Sequence, residues 1–225
     1  MHAGLRKTPP ALLAATGFLF VAFSATSRAC DVSTSAVDAT PQQVRQFFEG
    51  QKKQVLTFVG YSGAGYEDPA GMLNTASELL DEFAPAGMIV NIGATPDGIG
   101  AIYALAKQKG FTTTGIVSTK AKEYDAAVAD CVDHVFYVRD ATWGGFIDGK
   151  DTLSPTSTAM VENSDYLVAI GGGTVARDEL IAAQRLGRKV RFVPADMNHQ
   201  KARDKAKKKN LPAPTDFSGA AGGAL

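Results

Sequence analysis

The sequence predicts an α/β domain: a doubly wound, mostly parallel, Rossmann-like sheet with helices on both faces. Three observations predict it. Short apolar runs of strand length recur along the chain, each followed by a segment long enough for a helix. The runs are apolar throughout rather than alternating, as strands buried on both faces must be. Glycine clusters follow three of them, at Gly60 to Gly65, Gly93 to Gly100 and Gly171 to Gly173. In sheets of this class, ligands bind outside the carboxyl ends of the strands.

Taken in order, residues 1–29 read as a secretory signal peptide. Arg6 and Lys7 precede an apolar run from Ala11 to Ala25, and Ser27-Arg28-Ala29 ends in a small-residue pattern. That run is too short for a permanent membrane span, which takes about 20 residues. The expected location is therefore secreted or periplasmic. Cys30 follows the cleavage pattern directly, so lipid anchoring there is the minor alternative, weakened by the charged Arg28. A disulfide from Cys30 to Cys131 is the other use for that cysteine in an oxidising compartment. If Cys131 does not pair, it reads as a small buried apolar residue.

Residues 30–40, rich in Ser, Thr, Ala and Asp without periodicity, read as a flexible linker. The domain spans 41–210. Pro41 opens a helix to about Lys53, with Val44, Phe47 and Phe48 on one face. Strands follow at Val55 to Val59, Met88 to Ile92, Thr114 to Ser118, Val135 to Val138, Asp165 to Ile170 and Lys189 to Val193. The helices between them run from Ala70 to Phe83, Ile99 to Lys109, Lys120 to Ala129, Pro155 to Glu162 and from Thr174 onward. Arg139 to Ser154 is the one long connection, and long irregular loops in compact α/β domains are usually functional or mobile. A last helix, capped by Asp196 or Asn198, reaches about Lys209, and residues 211–225, rich in Pro, Gly and Ala, read as a disordered tail.

Composition narrows the function. Lys plus Arg and Asp plus Glu both number 23 in 225 residues, and removal of residues 1–29 leaves 20 bases against 23 acids. A mildly acidic chain is a poor partner for nucleic acid, and Lys205, Lys207, Lys208 and Lys209 sit at a helix end where cations oppose the dipole. His2, His134 and His199 lack metal-ligand spacing with the two cysteines, so no metal site is expected.

The stretch Asp165 to Ala183, DYLVAIGGGTVARDELIAA, reads as strand, glycine turn and helix. Residues without Cβ let the backbone approach an anion, and the unpaired amides that open a helix point at it, so phosphate is the natural occupant. Ser62, Thr95 and Thr174 add hydroxyls, and Asp97 and Asp178 can accept from sugar hydroxyls. Gly171, Gly173 and Ala176 satisfy the dinucleotide fingerprint, but on the fifth predicted strand instead of the first, and only Asp196 lies near the place of the ribose-holding acid. Gly60-Tyr61-Ser62-Gly63-Ala64 approaches a hydrolase nucleophile elbow, with Ala64 where the second glycine belongs.

Two of these runs, GATPDGIGAIYALAKQKGFTTTGIVST and SDYLVAIGGGTVARDEL, resemble the paired glycine signatures of the LOG-like and SLOG nucleotide-binding superfamily, and the similarity covers Val55 to about Asp196. The resemblance implies a pocket for a nucleotide-like ligand, with no cofactor required. It implies that Gly171, Gly172, Gly173 and Thr174 hold phosphate, that Gly98 and Gly100 support the neighbouring helix entry, and that Ser62 and Gly63 border the pocket. It also implies a homodimer. The family's enzymes split the N-glycosidic bond of nucleoside 5′-monophosphates. Here Arg177 stands where their catalytic glutamate aligns, suited to pairing an anionic ligand, and Asp178 and Glu179 follow as the candidate catalytic carboxylates. A one-residue shift turns a helical side chain by about 100°. The expected function is therefore ligand binding or sensing, with nucleoside-monophosphate phosphoribohydrolase activity as the alternative.

Overall fold

The computed structural model describes Met1, Cys30 and residues 34–147 and 151–225. Residues 2–29 of the expected signal peptide and residues 31–33 of the expected linker lie outside the described residues. No described helix is long and apolar enough to cross a membrane.

The core is one wholly parallel seven-stranded sheet in the order β1-β5-β4-β3-β2-β6-β7. Its strands are β1 (Ser35–Ala39), β2 (Gln54–Gly60), β3 (Met88–Ile92), β4 (Thr112–Ser118), β5 (His134–Val138), β6 (Tyr166–Ile170) and β7 (Lys189–Val193). The helices are α1 (Pro41–Gln51), α2 (Pro69–Asp81), α3 (Ile102–Gln108), α4 (Lys120–Glu123), α5 (Pro155–Glu162), α6 (Thr174–Arg185) and α7 (His199–Lys208).

Alternation along the central strands sorts the core onto two faces. Val55 and Ile89 point towards Val44 and Phe48 of α1 and Met160 of α5, whereas Leu56 and Val90 point towards Met72 and Leu80 of α2 and Ile102 of α3. Helix α6 buries Ala176, Leu180 and Ala183 against Val59, Leu167 and Ala169 on the same face as α5. Each fully buried Leu or Ile contributes about 1.5–3 kcal/mol, and the apolar strand runs account for this.

Three elements differ from the sequence expectation. Residues 35–39, assigned to a flexible linker, form edge strand β1, paired in parallel with β5 from Ser35 opposite His134 to Ala39 opposite Val138. Four of its five residues are exposed, so no apolar signal marks it. Helix α4 ends at Glu123, because Asp125 takes a left-handed φ of 48° and the chain then runs irregularly to Ala129, whose amide donates to the Ala94 carbonyl (2.9 Å). Residues 211–225, expected to be disordered, include a packed segment that ends in a 3-10 turn over Ala221–Ala224, with Ala221 fully buried.

Cys30 and Cys131 form a disulfide, with Cα atoms 4.5 Å apart. Cys131 is thus both buried and paired.

Candidate functional site

The chain leaves β2 for β3, β4 and β5 on one side, and β6 and β7 lie on the other. Strands β2 and β6 are neighbours, with Gly60 opposite Ile170. This is the topological switch point of the sheet, where the diverging connections open a crevice at the carboxyl ends. The turns Gly60 to Gly65 and Gly171 to Gly173 meet there.

Two tyrosines brace that crevice. The Tyr66 hydroxyl donates to the Ile170 carbonyl (2.7 Å) and accepts from the Tyr61 amide (3.2 Å). A side chain at Gly60 would put its Cβ 2.8 Å from the Ile170 carbonyl oxygen, so glycine is required there by close approach. The Tyr61 ring lies against Gly171, and its hydroxyl donates to the Ser218 carbonyl (2.7 Å). Burial pushes both phenols above their ordinary value, so both remain neutral donors. From the other side, the Ala221 amide donates to the Gly172 carbonyl (3.0 Å). The tail is therefore a strap along the flank of the glycine turn.

The turn itself is built by backbone conformation. Gly171 and Gly172 have φ of 55° and 126°, a pair that only glycine adopts without strain. Gly173 caps α6 with extended backbone and no side-chain bond. Among the described residues, the amides of Gly173, Thr174, Val175 and Ala176 donate to no protein acceptor; the first helical bond at this end runs from the Arg177 amide to the Gly173 carbonyl (3.1 Å). Thr174 is exposed. Four unpaired amides and the positive end of a 12-residue helix make a cradle for an anion.

The carboxylates of α6 lie beside this cradle, one turn further along. Glu179 is buried and accepts from the Ser157 hydroxyl of α5 (2.6 Å), which in turn accepts from the Gly145 amide (2.7 Å). Burial, reinforced by the neighbouring Asp178 charge and opposed by the Ser157 hydrogen bond, pushes the Glu179 carboxyl up to about 7. Asp178 accepts from the Phe146 amide (2.9 Å) and pairs with Arg177 (2.7 Å). The β5–α5 loop thus closes over both carboxylates, and the Gly144 and Gly145 backbone rests on Val175. Asp140 anchors the start of that loop by accepting from the Thr142 and Thr156 amides (2.8 and 2.9 Å). Burial alone would raise its carboxyl, but the hydrogen bonds it accepts outweigh burial and hold it below the ordinary value.

The sequence-predicted residues divide accordingly. Gly171, Gly172, Gly173 and Thr174 come together at the helix entry. Ser62 and Gly63 lie exposed on the β2 loop, with the Gly63 carbonyl 3.4 Å from the Lys201 ammonium of α7. Thr95 and Asp97 close their own turn (Asp97 amide to Thr95 hydroxyl, 3.3 Å), and the Asp97 carbonyl accepts from the Gly100 amide (3.1 Å). Packing explains Gly98 and Gly100: a Cβ at Gly98 would collide with the Tyr61 and Ser62 carbonyls, and one at Gly100 with the Thr95 carbonyl. Arg177 is held by its neighbour Asp178 and is not a free cation. Asp196 accepts from His199 (3.1 Å) at the base of α7.

Sequence reasoning missed Tyr61, Tyr66 and Ser157. The signal for the tyrosines was two aromatic residues inside a glycine turn, where an exposed loop has no need of them. The lone tryptophan, Trp143, is half-exposed on the loop that covers α6, with its ring centroid 5.7 Å from that of Tyr124.

Fold and site together define a doubly wound α/β domain with an uncapped helix entry at its switch point. No protein-family profile matches the chain, and no curated protein matches it. Among solved structures, it is similar to a molybdenum cofactor (Moco) carrier protein from Chlamydomonas reinhardtii, with 21% identity over 70% of this chain and 85% of that one and a TM-score of 0.45. It is also similar to a molybdenum cofactor binding protein from the phototrophic bacterium Rippkaea orientalis, with 18% identity over 70% and 85% of the two chains and a TM-score of 0.44. A third likeness is to a protein designated TM1055, with 22% identity over 61% and 72% and a TM-score of 0.45.

Proposed function

We propose that this chain is an exported, LOG-like binding protein for a phosphate-bearing small molecule of nucleotide type, held at the entry to α6. The observation that carries this reading is the run of four amides, Gly173 to Ala176, without a protein acceptor among the described residues, at the switch point of a parallel sheet. A phosphoryl group supplies acceptor oxygens for them and places its charge at the positive helix end. Trp143 and Tyr124 stand on neighbouring loops at the same sheet edge and offer ring faces to a base. The Cys30–Cys131 disulfide supports an oxidising compartment and leaves Cys30 no thiol for a lipid.

Titration of the full chain with AMP, adenosine and inorganic phosphate tests this, with Trp143 emission as the signal. AMP should bind and adenosine should not. Equal binding of AMP and adenosine would remove the phosphate from the account. The molybdenum cofactor belongs in the same titration as a competing ligand.

A second reading has one observation in its favour. A Glu179 carboxyl pushed up to about 7 is poised to protonate a leaving group, as the acid of a glycosidase must be. On this reading the chain is a nucleoside 5′-monophosphate phosphoribohydrolase whose β5–α5 loop lifts off Glu179. Release of adenine from AMP, lost in Glu179→Gln, decides it.

A further inference from the structure

A second anion site lies away from the glycine turn, at the carboxyl ends of β1 and β5. A cavity of about 380 Å³ there is lined by Thr40 and Pro41 at the start of α1, Arg139 after β5, Ile147 and Leu153 of the β5–α5 loop, and Pro155 and Thr158 of α5. This volume falls within the range of small-ligand pockets, roughly 300–1,000 Å³.

Among the described residues that line it, Arg139, itself exposed, is the only charged one, and it is unlike the other described arginines. Arg45 pairs with Glu162, Arg177 with Asp178, Arg185 with Asp151 and Arg191 with Glu82, while Arg188 donates to the Glu162 carbonyl and Arg203 sits over the Phe217 ring. Arg139 has no ion pair, hydrogen bond or ring contact among the described residues. The N-terminus of α1 opens onto the same cavity and adds the positive end of a helix dipole, while that of α5 is met by the Asp140 carboxylate, which accepts from the Thr156 amide (2.9 Å). A guanidinium left unpaired beside a helix start, with no acid among the described lining residues, is a site for an anion.

The donors present select the kind of anion. Both helices begin with proline, which has no N–H, and the Thr40 and Ser154 side chains already accept from the Gln43 and Ser157 amides. Among the lining side chains, the Arg139 fork and the Thr158 hydroxyl, which bonds to none of the described residues, are the donors that remain. Two planar oxygens match that set, whereas a phosphate dianion would keep one charge and several acceptors unmet. The Pro41, Ile147, Leu153 and Pro155 side chains form an apolar wall for the rest of the molecule. Arg139 also lines the adjoining cavity of about 520 Å³, which contains Asp38, its carboxylate taken by Lys122, so the anionic head belongs on the side where no described acid stands. We propose that this cavity binds a small organic monocarboxylate, its carboxylate on the Arg139 guanidinium and its apolar body against that wall.

Calorimetric titration of the full chain with phenylacetate, hexanoate, phenylacetamide and inorganic phosphate tests this. At least one carboxylate should bind with a Kd of roughly 1 mM or tighter, and the amide should bind at least about tenfold more weakly. Arg139→Gln should reduce carboxylate affinity by at least about tenfold, and Arg139→Lys, which loses the planar fork, by an intermediate factor. Gly172→Ala, at the glycine turn, should leave it unchanged, which separates this site from the proposed nucleotide site. The proposal is overturned if neither carboxylate binds, if amide and acid bind alike, if phosphate alone binds at Arg139, or if a folded Arg139→Gln protein binds as the parent does.

Discussion

Glu179→Gln should make the protein more stable at pH 8 and remove a pH dependence that the parent shows. The ordinary glutamate value is 4.5, and burial raises Glu179 to about 7 in the folded state. Between those values the unfolded chain has lost the proton and the folded one retains it. The contribution of Glu179 to stability is therefore highest below about pH 4.5, falls as pH rises through the window to about 7, and is level above it. One pKa unit corresponds to about 1.4 kcal/mol, so the shift is worth about 3 kcal/mol. A glutamine side chain at this position would mimic the protonated acid and still accept the Ser157 hydroxyl hydrogen bond, so the variant should regain about that amount at pH 8. At roughly 2–4 °C per kcal/mol for a chain of this size, the midpoint should rise by about 6–12 °C. Asp133 and Asp140 do not confound the test, because burial, which would raise them, is outweighed by hydrogen bonds that hold both below 3.8, outside the window. The assay is urea unfolding of parent and variant from pH 5 to 8.5. A parent whose stability is flat or rising across that range, with a variant no more stable at pH 8, would refute the burial argument.

Other consequences follow from single contacts. Thr156→Val should stabilise by about 1 kcal/mol, since the Thr156 hydroxyl is buried without a partner among the described residues and valine keeps its shape; chemical denaturation measures this. Tyr61→Phe should loosen the tail by removing the bond to the Ser218 carbonyl, and faster hydrogen exchange at the Ala221 amide, with the β-strand amides unchanged, is the expected readout. Reduction of the Cys30–Cys131 disulfide, which joins residues 101 apart, should lower stability by about 2–4 kcal/mol, whereas thiol titration of the unreduced denatured protein should find no free cysteine.

The parallel sheet was legible because its central strands β2, β3 and β6 are largely apolar on both faces and carry their signal locally, while edge strand β7 still shows Val190 and Phe192 alternating with exposed Lys189 and Arg191. Edge strand β1 was not, because one flank and most side chains of Ser35–Ala39 face solvent and its pairing with β5 is a contact between segments far apart in the chain. The tail escaped for a related reason. Glycine and alanine between Gly219 and Ala224 fit against Gly172 and α6 by being small, which composition reads as disorder. At the site, strand-to-helix glycine chemistry pointed to Gly171, Gly172 and Gly173, which do form the uncapped helix entry. The same inference applied to Gly98 and Gly100 found glycines that serve backbone packing instead, since close approach to a ligand and close approach to another strand end leave the same mark. Glu179 was singled out by type, but its burial under Gly144 and Gly145 depends on how a loop well upstream in the chain folds back.

The four backbone amides proposed to hold the phosphate can be observed directly. In a nitrogen-15 labelled sample, titration with AMP should shift the Gly173, Thr174, Val175 and Ala176 amide resonances together and leave the Gly98 and Gly100 amides in place. If AMP, added to saturation of any binding seen by Trp143 emission, leaves those four resonances unmoved, the phosphate does not sit at the entry to α6 and the proposed site is wrong.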